Sequence, residues 1–170
     1  GPIRKEIGLK TFFNMLGPMV NPSNPGKQVV GVFNLELARI YGYLYQEMGK
    51  EFTIVHALDG YDEVSLTGDT KIITNKGEDI LKPKDFGVNS IAANTIKGGV
   101  DIAESAKIFT QVLNGEASNE QSSVVCANAA LSIACYFPTV SYKDAYLLAK
   151  QSLESGKAQQ VFKNLINLQK

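Results

Sequence analysis

The 170 residues carry 17 basic and 17 acidic side chains, 44% hydrophobic residues and 20% charged ones. A chain of this size and balance makes one ordinary domain that buries roughly 70% of its unfolded surface, and its zero formal charge offers no footprint for nucleic acid or an anionic membrane. A single histidine, His56, excludes a His-rich metal site, and no apolar run reaches the ~18 residues of a membrane helix.

The first residues, Gly1-Pro2-Ile3-Arg4, open without Met and without the charged, apolar and small-residue zones of a signal peptide. The expectation is a piece of a longer cytoplasmic protein. Ile3 to Gly8 reads as a short helix closed by Gly8, and Thr11 caps a second through Met19, kinked or ended at Gly17-Pro18. Residues 21–26 are a loop, rich in Asn and Pro. Residues 28–33 read as a buried strand, 35–48 as a helix terminated by Gly49, and 52–58 as a second buried strand. Strand, helix and strand with short connections predict a βαβ unit, hence a parallel pair with a right-handed crossover.

Three short strand candidates follow, 63–67, 70–75 and 78–82, the last two a hairpin about Asn75-Lys76-Gly77. Residues 82–99 read as loop. Asp101, Ser118 or Asn119, and Ser141 are cap candidates for three helices, and a fourth is expected from Lys157 to Leu168. The stretch from Val124 to Cys135 is apolar nearly all round and predicts a central buried helix. Cys126 and Cys135 fall in that run, about 13 Å apart along a helix, too far to bridge. Both suit a reducing compartment. The predicted fold is therefore α/β, with a mostly parallel central sheet carrying an antiparallel hairpin and flanked by helices.

Asp59, Asp62 and Glu63 cluster where strand 52–58 ends, and the carboxyl ends of parallel strands border the ligand crevice of open α/β sheets. Hard oxygen ligands on a short loop suit Mg²⁺, which takes one or two protein carboxylates beside water and substrate phosphates. Acidic residues after a strand are also ordinary solvated turn residues, and composition leaves both readings open.

Two segments carry a resemblance. Asp59-Gly-x-Asp62-Glu63-x-Ser65 is similar to the acidic loop of the anthranilate phosphoribosyltransferases. Arg4, Lys10, Thr11 and the run Asn14-x-x-Gly17-Pro18 resemble that family's acceptor segment, which typically reads Val-Arg-x-x-Leu-Gly-x-Arg-Thr before a Gly-Pro. Lys10 departs from the family Arg and loses its fork of donors. Ala127-Asn128-Ala129-Ala130 and Ser152-x-x-Ser155-Gly156-Lys157-Ala158 also look like the family's closing helices.

The resemblance implies the nucleoside phosphorylase/phosphoribosyltransferase type of C-terminal domain, with residues 1–170 a single domain of a larger two-domain enzyme. It implies transfer of the phosphoribosyl group of phosphoribosyl pyrophosphate to the amino group of anthranilate, in tryptophan biosynthesis, without a side-chain nucleophile or base. It assigns Mg²⁺ to Asp62 and Glu63, and anthranilate to Arg4 and Pro18. It further implies a homodimer in the full-length protein and association with the glutaminase component of anthranilate synthase. Such enzymes also carry a Gly-x-Gly-Gly-Asp phosphate loop and a Lys-His-Gly-Asn segment, neither of which occurs in these residues. The 170 residues alone are thus expected to be inactive. A relative with another acceptor, or one that only binds, is the alternative.

Overall fold

Strands β1 (Lys27–Gly31) and β2 (Glu51–Ala57) are joined by helix α1 (Leu35–Glu47) and pair in parallel, with Val29 opposite Thr53 and Gly31 opposite Val55. The computed structural model describes residues 15–169; Arg4, Lys10 and the helix expected over residues 3–8 lie outside the described residues. Strands β3 (Thr70–Thr74) and β4 (Gly77–Leu81) complete a four-stranded sheet in the order β1-β2-β3-β4, both added antiparallel. The α/β class and the hairpin are as expected. Parallel pairing is confined to β1 and β2, because the chain passes from β2 to β3 through a loop without a crossover helix.

Helices α2 (Ile102–Asn114), α3 (Asn119–Tyr136), α4 (Tyr142–Glu154) and α5 (Lys157–Leu168) follow. Their starts are set by local chemistry. Asp101, Ser118 and Ser141 each accept a bond from a first-turn backbone N–H, and Ser118 forms a capping box with Gln121. Asn34 does the same for α1, its Oδ1 accepting from Leu37 N at 2.8 Å.

Alternation along β2 sends side chains to opposite faces, and each face has its own core. Val30, Phe52, Ile54 and Ile73 are buried against Tyr41 and Tyr45 of α1. Val55, Val64, Leu66, Ile72, Ala127 and Leu131 belong to the second core, which includes α3 and α4. Tyr45 stacks on Phe52 with ring centroids 5.6 Å apart and meets Tyr41 edge-on at 6.2 Å. Such pairs contribute about 1 kcal/mol beyond the area they bury. Helix α3 buries Cys126, Ala127, Ala130 and Leu131, as its apolar run implied, but Val125 on its flank is 45% exposed. Both cysteines are free thiols, Cys126 buried and Cys135 half-buried.

The strand expected over residues 63–67 does not form. Side-chain oxygens take over its backbone partners, and Leu66 turns to φ 59°, a left-handed conformation that no strand contains.

Candidate functional site

Strand β2 ends at Ala57 and delivers residues 58–69 to its carboxyl end as a series of turns. The base of the loop is closed by backbone bonds, Leu58 N to Asp69 O and Ala57 N to Tyr61 O, both at 2.9 Å. Within it, the Asp59 carboxylate accepts from Ser65 Oγ at 3.3 Å and from Thr67 Oγ1. Ser65 Oγ in turn accepts from Thr67 N at 3.2 Å. Asp59 is thus spent on shaping the loop, while Asp62 and Glu63 stay exposed. The Glu63 carboxyl is held above its ordinary range, first by partial desolvation and second by the neighbouring charge of Asp62. Two like charges on adjacent residues, one of them partly desolvated, repel each other, and a cation between them would relieve that repulsion.

Three residues that carry no role in the sequence reading fix this loop. Gly31, at the end of β1, has no side chain because the backbone of Asp62 occupies the space one would need. Asn128, on α3, accepts from Val64 N and donates to Val64 O, each at 2.8 Å. Leu66 is fully buried, and its carbonyl accepts from Ile91 N at 3.0 Å. A glycine inside an apolar strand and an asparagine inside an apolar helix were the available signals, since each breaks its local pattern.

Pro18 sits in a 3-10 turn, Gly17–Met19. Its carbonyl accepts from Gln28 Nε2 at 2.7 Å and from Tyr45 Oη at 3.3 Å. Gln28 is the second residue of β1 and Tyr45 packs on Phe52 near the start of β2, so Pro18 and the acidic loop lie toward opposite ends of the strands. His56 is buried, with Nδ1 2.8 Å from Val32 O; protonated there, it donates and ties β2 to the extension of β1. Tyr41 and Tyr45, on one face of α1, are both core residues.

Among the described residues no three His, Cys, Asp or Glu side chains are grouped to hold a metal. Two adjacent carboxylates nevertheless fit an ion of the magnesium kind, which completes its shell with water and phosphate oxygens. Among the described residues, too, no helix is long and apolar enough to cross a membrane.

The family described as "Glycosyl transferase family, a/b domain" matches residues 1–159. An anthranilate phosphoribosyltransferase of Flavobacterium johnsoniae is 56% identical over 168 residues, 99% of this chain and 51% of its own length. The chain therefore spans about half the length of the curated relatives it matches. The anthranilate phosphoribosyltransferase of Saccharomyces cerevisiae in complex with PRPP and Mg superposes with a TM-score of 0.88 at 29% identity, covering 98% of this chain and 48% of that one. The same yeast enzyme in complex with 4-fluoroanthranilate gives a TM-score of 0.87 at 28% identity, covering 98% and 49%. The chain belongs to the glycosyl transferase family, a/b domain, and its likeness in sequence and fold is to the anthranilate phosphoribosyltransferases.

Proposed function

We propose that this chain is the part of an anthranilate phosphoribosyltransferase that carries the magnesium site, in a protein whose whole catalyses transfer of the phosphoribosyl group of PRPP to the amino group of anthranilate, releasing pyrophosphate. The identity of 56% over 99% of the chain is the observation that carries it. The exposed pair Asp62 and Glu63 at the carboxyl end of β2 supports the metal assignment.

In this reading Asp62 and Glu63 hold Mg²⁺. When bound, the ion supplies positive charge to the diphosphate of the donor and orients it for departure. Asp59, Ser65 and Thr67 keep the loop in shape, so that the two carboxylates would meet the ion without reorganisation. Arg4 and Pro18 are assigned to the anthranilate side on the family resemblance, Arg4 because a guanidinium forks onto a carboxylate. No side chain here acts as nucleophile or general base, and none is required where charge stabilisation of a leaving diphosphate drives the step. A cytoplasmic setting, a full-length homodimer and association with an anthranilate synthase glutaminase component belong to the same reading.

A longer form that carries the Gly-x-Gly-Gly-Asp loop is expected to consume anthranilate in the presence of PRPP and Mg²⁺, read as loss of anthranilate fluorescence. Unchanged fluorescence, with the phosphoribosyl group passing to a different amine and pyrophosphate still released, would overturn the acceptor assignment. The 170 residues alone are expected to show no turnover, since they contain no such loop. Turnover comparable with an ordinary enzyme would refute that.

A further inference from the structure

Helix α3 is apolar from Val124 to Leu131 except at one position, Asn128. A half-buried carboxamide costs stability unless its donors and acceptor are used. Here they are used on one target: Oδ1 accepts from Val64 N, and Nδ2 donates both to Val64 O at 2.8 Å and to Val124 O of its own helix at 3.0 Å. Pairing with the N–H and the C=O of a single residue is what a neighbouring strand would do. Asn128 therefore substitutes for a ladder partner, and it fixes the backbone of the residue that follows Glu63. On the other side, the backbone of Asp62 rests against Gly31. The carboxylate pair is bracketed between β1 and α3.

We propose that Asn128 is a positioning residue for the Asp62–Glu63 metal loop, acting through its two-point hold on Val64 rather than by touching metal or substrate. This rests on the reading of Asp62 and Glu63 as the magnesium ligands. Two adjacent carboxylates repel each other, and a loop free to splay would separate them when no cation is present. Holding Val64 to a helix packed on the sheet limits how far the loop can splay. Groups one step behind metal ligands typically control affinity by 10- to 100-fold.

The test is Mn²⁺ uptake by the 170-residue chain, followed by the EPR signal of the free ion, with amide exchange measured alongside. Asn128→Ala is expected to weaken Mn²⁺ binding about tenfold and to speed exchange across residues 59–67, leaving the β3–β4 hairpin unchanged. Asn128→Ser, whose hydroxyl cannot span both backbone groups, serves the same purpose should the alanine variant not fold. Ser123→Ala is the control for general destabilisation of α3, since it removes only the Tyr146 Oη to Ser123 Oγ bond, 3.2 Å long. Unchanged affinity in the Asn128 variants, or an equal loss in Ser123→Ala, would overturn the proposal while leaving the metal loop intact. Asp62→Asn with Glu63→Gln reports on the underlying reading separately. If that variant binds Mn²⁺ as the unsubstituted chain does, or if neither binds, the loop is no metal site and the role of Asn128 falls with it.

Discussion

A methyl group placed on Gly31 would lie 1.8 Å from the carbonyl oxygen of Asp62 and 3.3 Å from its Cβ. Backbone touches backbone here, so no rotamer change can make room. Gly31→Ala is therefore expected to push the acidic loop off β1 and to destabilise the fold by about 1–3 kcal/mol, the range of overpacked sites. Urea denaturation gives the stability, and Mn²⁺ titration gives the displacement of the loop. A variant as stable as the parent, with unchanged metal affinity, would mean that Asp62 does not rest on Gly31 in solution.

The raised Glu63 carboxyl makes a prediction about pH. Its folded form holds the proton to higher pH than an ordinary glutamate near 4.5, so the folded state binds more protons across that window. Its contribution to stability is present in full below the ordinary value and is lost as pH rises through the raised one. Glu63→Gln should remove this slope and leave the metal-free chain slightly more stable than the parent at neutral pH. Cation binding needs the ionised carboxylate, so Mn²⁺ affinity should climb across the same window in the parent chain. Denaturation and titration series between pH 4 and 7 would test both, and parallel curves for the parent and Glu63→Gln would contradict the first.

Leu66 provides a comparison of two substitutions. It is fully buried and sits at φ 59°. Leu66→Ala should cost about 2–5 kcal/mol through the cavity it leaves. Leu66→Gly removes slightly more volume but also relieves the left-handed conformation, which costs a residue with a Cβ about 1–2 kcal/mol. The glycine variant is expected to be the more stable of the two, reversing the usual order of alanine and glycine. Thermal unfolding of the pair would show it.

The Pro18 turn is tested through Tyr45. Tyr45→Phe keeps the stack on Phe52 and loses only the bond to Pro18 O, so about 1 kcal/mol should disappear. A loss of the size expected for Tyr45→Ala, about 3–5 kcal/mol, would mean that the hydroxyl organises the turn as a whole.

What could be read from the sequence follows a physical divide. The helix starts at Asp101, Ser118 and Ser141 and the hairpin about Asn75 were legible because their chemistry is local: a side-chain oxygen beside the N–H it satisfies, a glycine where the chain must reverse. Residues 63–67 alternate as a strand would, yet Ser65 and Thr67 bond to Asp59, and Val64 bonds to a helix 64 positions away. Alternation alone cannot reveal a partner so distant. The carboxylates of the loop were visible as a motif, whereas Gly31 and Asn128, which hold it, acquire meaning only once β1 and α3 are brought beside it.

The two borders of the sheet are unlike each other. β4 shows Glu78 and Asp79 to solvent and is followed by Pro83, both of which discourage another strand from docking there. β1, at the opposite border, is Lys-Gln-Val-Val-Gly, with no acidic residue and, among the described residues, no strand on its outer side. Its backbone runs beside Val29, half-buried, and Val30, buried in the core. The two borders thus differ in charge, acidic along β4 and basic at Lys27 of β1. A strand added on the β1 side would meet Lys27, whereas one added on the β4 side would meet the carboxylates of Glu78 and Asp79.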